Sequence, residues 1–185
     1  MTARRAWIPA FAILAAAIAI LLAMGRNPIC TCGTIDLWVG ARNSPTTSQM
    51  LLDWYSFSHV VHGLLFYAIL WIAARRAPVD LRLLAALLFE ASWEVIENTP
   101  MVIGRYRATA AALGYTGDSV INSLSDIAMM ATGFLLARKL PVWGSIALLI
   151  ALELTPLLAI RDNLTLNVWA LLAPNAALQA WQAGG

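Results

Sequence analysis

Charged residues are scarce in this sequence. Only 12% of the 185 residues are Asp, Glu, Lys or Arg, whereas 61% are hydrophobic. Globular chains carry about 25% charged and about 45–50% apolar residues, so this composition excludes an ordinary soluble domain. The net charge of +2 is too small to indicate a nucleic-acid partner. The apolar residues form several long runs, which predicts a multi-pass protein whose partner is the lipid bilayer.

Internal repeats and low-complexity tracts are also absent, which argues against a permease built from inverted repeats. Spans of about 20 residues each would fill most of the chain, so residues 1–185 are predicted to be a single integral membrane domain. The first apolar run exceeds the about 7–15 residues of a signal-peptide core and lacks a clear cleavage site. No lipobox precedes Cys30. We therefore interpret the run as a retained anchor.

Five apolar runs predict an all-α bundle of about five transmembrane helices. Pro100 follows the third run, Pro141 opens the fifth, and Pro156 is expected to kink the fifth. The tail NVWALLAPNAALQAWQ is too short to span, so a short interfacial helical segment is expected, with Trp169 and Trp181 at headgroup level. The predicted spans are 7–24, 54–74, 81–98, 118–137 and 141–160, and the predicted outer loops are 25–53 and 99–117.

Basic residues are distributed unequally between the two sides of this bundle. One side carries them directly at helix ends, and the other carries fewer, mostly in longer loops. The positive-inside rule then puts the amino terminus in the cytoplasm and the carboxyl terminus in the periplasm of a bacterial inner membrane. The inner set is Arg4, Arg5, Arg75, Arg76, Arg82, Arg138 and Lys139, and the outer set is Arg26, Arg42, Arg105, Arg107 and Arg161.

The outer loops contain two further features. Cys30 and Cys32 form a Cys-x-Cys pair in a compartment that permits disulfides. An intramolecular bridge, a redox or metal role, pairing with another chain and simple burial are all open. The second loop contains a short Ala-rich helical piece, which Gly114 and Gly117 are expected to close.

Polar side chains form one stripe on each of three predicted helices. Their spacings of three, four, seven and eight residues put each stripe on one helix face. An ionisable group within a span costs about 2.5–3.5 kcal/mol on insertion scales, and lipid cannot satisfy it. The stripes therefore face each other around an outward-facing polar pocket. They are His59 and His62 on the second helix, Glu90, Glu94 and Glu97 on the third, and Asp118, Asn122 and Asp126 on the fourth.

Depth along the helices predicts two layers in this pocket. At about 1.5 Å per residue, the first layer lies about 6–8 Å inside the outer helix ends and the second about 12 Å inside. The first layer is His59, Glu94 and Asn122, and the second is His62, Glu90 and Asp126.

Three chemical roles follow from these residue types. A general acid–base arrangement would use His59, His62, Glu90, Glu94 and Asp126 as catalytic residues. Substrate binding would use Glu97, Asn98, Arg105, Arg107, Asp118 and Asn122, with the arginines holding an anionic headgroup. A divalent metal such as zinc, manganese or iron would use His59 and His62, with Glu94, Glu97 or Asp126 completing the ligand set.

Structural explanations apply to several of the same residues. Asp118 follows a glycine and suits a helix N-cap, and Asn122 suits an interhelical hydrogen bond. Glu97 and Asn98 suit the membrane interface, and the two loop arginines suit ordinary interfacial charge. A non-catalytic protein with a structural polar core is thus an alternative to a functional pocket.

Three blocks, WYSFSHVVHGLLFY, FEASWEVIENTP and GDSVINSLSDIAMMATGF, resemble an uncharacterised family of bacterial inner-membrane proteins of unknown function. The resemblance runs through most of the chain and implies a topology and a shared polar site. More remotely, the pattern resembles VanZ-like membrane proteins, which are associated with glycopeptide resistance. The counterparts there would be Asp53 with His59, Glu90 or Glu94, and Asp118, Asn122 and Gly133.

Together these observations predict a membrane protein that binds or acts on a lipid or a lipid-linked envelope precursor. A metal-dependent or acid–base hydrolase or transferase is the alternative. The sequence decides neither turnover nor substrate.

Overall fold

The computed structural model describes residues 3–41, 44–107 and 114–184. Within them the chain is helical apart from its loops and one pair of two-residue strands, so the all-α prediction is confirmed. The helices are α1 (Ala3–Ala23), α2 (Ser56–Ala73), α3 (Val79–Glu97), α4 (Pro100–Arg107), α5 (Val120–Lys139), α6 (Val142–Ile160), α7 (Leu164–Leu172) and α8 (Ala176–Ala183). The strands β1 (Trp38–Val39) and β2 (Leu52–Asp53) pair in parallel.

Three of the described helices, α2, α5 and α6, are long and apolar enough to cross a membrane. The apolar part of α1, Trp7–Ala23, is shorter, and α3 carries the acidic stripe that lowers its hydropathy. The helix composition is that of a membrane protein. A bundle of five spans therefore stays a prediction, with three of its five helices supported by length and composition.

The ends of the helices differ from the sequence-based boundaries in a few places. A separate helix, α4, begins at Pro100, where proline needs no hydrogen-bonded amide. The Ala-rich piece expected beyond α4 falls on residues 108–113, and these and Arg42 lie outside the described residues. The helix α6 continues through Pro156 to Ile160. The tail forms the two short helices α7 and α8, separated at Pro174.

The helices α2 and α5 pack against each other at two glycines. A methyl group on Gly63 would overlap the carbonyl oxygen of Met130, and one on Gly133 would overlap the carbonyl oxygen of Val60. Small residues allow such close approach of helix backbones in membrane proteins. Gly63 lies one turn after His59, so this contact sets how closely the polar stripes of α2 and α5 meet.

Apolar side chains complete the bundle around this contact. Ala86 of α3 is fully buried against Met130 and Phe134 of α5. The helix α1 packs through Ala17 against Ala91 of α3, beside Ile127. The core therefore joins α1, α2, α3 and α5 and leaves the polar stripes at one end.

The loop of residues 24–55, which we call the long loop, closes that end by hydrogen bonding to the start of α5. The backbone amides of Val120 and Ile121 donate to the carbonyls of Asn27 and Pro28, at 2.9 and 3.2 Å. The amide of Ser119 donates to the carbonyl of Ser48 at 3.0 Å. These bonds satisfy donors that the first turn of a helix leaves without partners.

Candidate functional site

Two histidines of α2 share one carboxylate of α3. The Nδ1 atom of His59 lies 2.6 Å from Glu90 Oε1, and the Nδ1 atom of His62 lies 3.0 and 3.1 Å from the two Glu90 oxygens. Glu90 is fully buried. The two rings contact each other edge-on, with centroids 5.3 Å apart. The helical spacing of three residues thus brings both imidazoles to one acid.

His59 also lies near two further carboxylates. Its Nδ1 lies 3.5 Å from Glu94 Oε1, and its Nε2 lies 3.7 Å from Asp126 Oδ2 of α5. Ser56 donates its hydroxyl to the other Asp126 oxygen at 3.2 Å. We call the group of His59, His62, Glu90, Glu94 and Asp126 the His/carboxylate chamber. The structure thus joins the two predicted layers through one ring.

Glu94 differs from the other acids of the chamber. Its side chain is 1% exposed, and neither carboxylate oxygen has a hydrogen-bond partner in the described part of the chain. An unsatisfied buried polar group typically costs about 1–3 kcal/mol. Such a group calls for a ligand, a proton or a functional reason.

Other predicted site residues are held by partners outside the chamber. Asn122 donates its amide to the Met50 carbonyl at 2.9 Å, so it anchors the long loop. Asn98 and Asp118 form a reciprocal pair, with both hydrogen bonds 2.7 Å long. Tyr115 donates to the second Asp118 oxygen at 2.8 Å.

The proposed N-cap role of Asp118 is wrong. The cap of α5 is Ser119, whose hydroxyl accepts from the Asn122 amide at 3.3 Å. Ser119 has the extended backbone that a cap requires, and Asp118 is turned toward α3.

The loop arginines do not line the chamber. Arg105 donates to the Leu171 carbonyl at 2.8 Å, and Arg107 donates to the Tyr115 carbonyl at 2.6 Å. Both side chains are exposed. They tie α4 to its neighbours, and we do not assign them an anionic headgroup.

A cavity of about 430 Å³ extends from the chamber to the side of the bundle. Its polar end includes His59, His62 and Glu90 together with Glu97, which is partly buried. Its walls are largely apolar and aromatic. The wall residues are Phe66, Phe89, Trp93, Ile96, Leu164 and Val168.

A second cavity of about 30 Å³ lies between His59, Glu97, Asp118 and Asp126. This volume holds about one or two water-sized spheres. It connects the acids at the α5 end to the imidazole of His59. Glu97 faces both cavities and so lies between the chamber and the loop region.

Sequence reasoning missed the contribution of the tail to this site. Asn167 of α7 lines the cavity and accepts a hydrogen bond from the Tyr106 hydroxyl at 2.9 Å. Asp162, which is 1% exposed, accepts from the Tyr55 hydroxyl and from the Gln182 amide, at 3.2 and 3.1 Å. Asn167 is the one amide inside the apolar run LTLNVWALL, and such a residue is a signal for a position of this kind.

Two carboxyls next to the helices are also buried. Burial raises the pKa of Asp53 above its usual value, although the amides of Ser48 and Tyr55 donate to it at 2.7 and 2.8 Å. Burial likewise raises the pKa of Asp118, against hydrogen bonds from Tyr115 and Asn98 that lower it. Both acids therefore favour the protonated form more than free carboxyls do.

Two overlapping groups of side chains have the spacing of metal ligands. In each, one donor atom per residue lies within 4.8 Å of the others. The first group is His59, His62 and Glu90, and the second is His59, Glu94 and Glu97. Cys30 and Cys32 belong to neither group and are joined to each other by a disulfide.

The fold and the site define a helical protein of membrane composition with a buried group of imidazoles and carboxylates. Comparison with known proteins identifies a family. The family model described as "Protein of unknown function (DUF2585)" matches residues 21–184. The UPF0314 protein of Sphingopyxis alaskensis is 50% identical over 183 residues, which cover 98% of this chain and 97% of that protein. The UPF0314 protein of Paracoccus denitrificans is 50% identical over 173 residues, which cover 94% and 90%.

The chain therefore belongs to the DUF2585, or UPF0314, family. No solved structure matches it. The predicted resemblance to an uncharacterised bacterial family is confirmed, whereas the remoter VanZ-like resemblance has no support.

Proposed function

We propose that this protein binds a lipid or a lipid-linked envelope precursor in the bacterial inner membrane, with the polar headgroup in the His/carboxylate chamber. The observation that carries the proposal is the cavity of about 430 Å³, which has a polar end and apolar walls. An amphiphile has the same division between headgroup and chain. A soluble polar substrate would make no favourable contact with the aromatic walls.

The position of the cavity wall supports entry from the side. Phe89 and Ile96 belong to the wall, yet 57% and 47% of their respective surfaces are exposed. In a bilayer these side chains would face acyl chains, so an alkyl tail can continue from the cavity into lipid. The headgroup would then lie beside His62, whose ring is partly exposed and lines the cavity.

Photocrosslinking in cells tests this proposal. Phe89 is replaced by a photoreactive phenylalanine analogue, and the lipid adducts are identified by mass spectrometry of the purified protein. The matched control is Phe11, an exposed phenylalanine also near the middle of its helix. We expect one lipid class to be enriched at Phe89 over Phe11, and the enrichment to be lost in the His62→Ala background. Equal adduct profiles at the two positions would contradict the proposal.

Turnover of the bound lipid is a second candidate, favoured by the surroundings of the imidazoles. His59 has a carboxylate near each ring nitrogen, and His62 shares Glu90 on the cavity side. Such pairs suit general acid–base catalysis, in which an imidazole takes a proton from water and returns it to a leaving oxygen. Incubating purified protein with the enriched lipid class decides the point. If the mass of the lipid does not change, turnover is excluded and only binding remains.

A further inference from the structure

We propose that His59, His62, Glu90 and Glu94 bind one divalent transition-metal ion of the four-coordinate zinc class. This inference shares one premise with the proposed function, namely that a ligand binds in the His/carboxylate chamber. The ion would neutralise the chamber and present a positive charge to a headgroup.

The donor atoms form two compact groups that share His59, one with His62 and Glu90 and the other with Glu94 and Glu97. Glu90 Oε1 lies 2.6 Å from His59 Nδ1 and 3.0 Å from His62 Nδ1, and Glu94 Oε1 lies 3.5 Å from His59 Nδ1. Four ligands at about 2.0–2.2 Å around a tetrahedral ion are about 3.4 Å apart. An ion shared by all four residues therefore requires the flexible side chains of Glu90 and Glu94 to rotate, Glu90 away from His59 and Glu94 toward the ion. Imidazole nitrogen with carboxylate oxygen is a donor set that zinc and manganese accept.

Glu94 is the independent observation that points to a ligand. Both of its oxygens are buried without a hydrogen-bond partner in the described part of the chain, while its neighbours Glu90 and Asp126 are paired. One oxygen already faces the nitrogen that Glu90 contacts. A cation bound beside His59 would satisfy this acid.

The charge of the surroundings favours a cation as well. Carboxyl groups outnumber imidazoles at the chamber and its border, because Glu90, Glu94, Glu97 and Asp126 meet only two histidine rings. Buried carboxylates need a counter-charge, and the described arginines near this end are bonded to backbone carbonyls elsewhere. A divalent ion supplies that charge within ligand distance.

On the far side of His59, a carboxylate lies near the other ring nitrogen. The Nε2 atom of His59 faces Asp126, which is in turn fixed by the Ser56 hydroxyl. Metal-binding histidines commonly donate their other ring N–H to a carboxylate, which fixes the tautomer. Asp126 would thus hold the proton on Nε2 and leave Nδ1 for the ion.

Metal titration of the purified full-length protein tests the inference. The chain is stripped with chelator, and the binding of Zn²⁺ and of Mn²⁺ is measured by calorimetry and by elemental analysis. The test variants are Glu94→Gln and His62→Ala, and the control is Asp36→Asn, which removes an exposed carboxylate of the long loop. We expect one ion per chain, with affinity reduced more than about tenfold in both test variants, because even outer-shell changes cost about 10–100-fold. The control should match the unmodified chain.

Cobalt substitution of the unmodified chain keeps the inference testable if a variant does not fold. Four-coordinate Co²⁺ with nitrogen and oxygen ligands gives intense visible bands, whereas a six-coordinate surface ion gives weak ones. Weak bands, binding well below one ion per chain, or equal affinity in all variants would each overturn the metal site. Photocrosslinking at Phe89 on the same preparations separates the two proposals. Lipid enrichment without metal overturns only the metal site, and metal without lipid enrichment overturns only the proposed function.

Discussion

At the scale of single residues, Glu90 and Glu94 are two buried acids with opposite surroundings. Glu90 lies within hydrogen-bond distance of both histidines, whereas Glu94 has no hydrogen-bond partner among the described residues. Replacing a buried carboxyl that has no hydrogen-bond partner is often neutral or stabilising, but removing one partner of a hydrogen-bonded buried pair leaves the other uncompensated. Variants at the two positions therefore distinguish an acid that stabilises the fold, Glu90, from one whose burial needs a functional reason, Glu94.

We expect Glu94→Met to leave the thermal unfolding midpoint of the purified protein unchanged or raised, because it removes an unsatisfied buried carboxyl. We expect Glu90→Met to destabilise the protein by about 3–5 kcal/mol, because two imidazoles lose their shared acid. Unfolding of both variants in the same detergent provides the comparison. An equally large loss of stability in Glu94→Met would mean that Glu94 is a structural residue.

Local spacing was sufficient to predict which residues form the chamber, but not every partner. Helical periodicity puts Glu90 and Glu94 on one face whatever the rest of the chain does. The hydrogen bond from Asn122 joins Met50, 72 positions earlier, and depends on the path of the long loop. The sequence contains no local signal for that path, so Asn122 was predicted to face the pocket.

At the scale of helices, the glycine contact between α2 and α5 controls the site from outside it. Gly63 and Gly133 each lie against backbone atoms of the partner helix, so there is no flexible side chain that can move aside. A methyl group on either glycine would overlap a backbone oxygen of the other helix, so the two helices would have to move apart. Interiors are packed closely enough to transmit such a shift.

Gly63→Ala is expected to lower the stability of the purified protein by about 1–3 kcal/mol, as overpacking in a well-packed core does. Gly104→Ala is the control, because a side chain on Gly104 of α4 would meet no atom within 4 Å. Alanine at such a helical position stabilises by about 0.4–1 kcal/mol. Thermal unfolding of both variants is the measurement, and similar midpoints would show that α2 and α5 are not held at this contact.

The tail shows where helix-level prediction stopped. Its two short helices were predictable, because Pro174 interrupts an apolar segment too short to span. The position of α7 beside the cavity was not predictable. It depends on hydrogen bonds from Tyr106 to Asn167 and from Tyr55 to Asp162, which join residues 61 and 107 positions apart. Such pairings depend on which distant helices become neighbours in the fold, and no local pattern in a single sequence indicates that.

At the scale of the whole molecule, the chamber lies at the end of the bundle that the long loop covers. The positive-inside rule predicts that this end faces the periplasm, because the opposite helix ends carry Arg75, Arg76, Arg138 and Lys139. Five passes, an inner amino terminus and an outer carboxyl terminus form one connected prediction. If the number of passes changes by one, the terminus changes sides.

Reporter fusions test this topology. A periplasm-dependent phosphatase fused after Ala183 is expected to be active, and a fluorescent protein fused there is expected to be dark. Fusions within the Ala74–Pro78 turn between α2 and α3 should give the reverse result, and they act as the internal control. Fluorescence at the carboxyl terminus would contradict a fifth pass.

The sharing of Glu90 by His59 and His62 has a consequence for how the protein is made. The helices α2 and α3 follow each other along the chain, so a hairpin of the two already contains both imidazoles and their acid when it leaves the ribosome. Three groups that lipid would reject separately can enter the bilayer as one neutralised unit. Asp126 arrives later on α5 and meets a partner that is already in place. We therefore expect α2 and α3 to insert as a pair, with Asp126 joining His59 after α5 has been made.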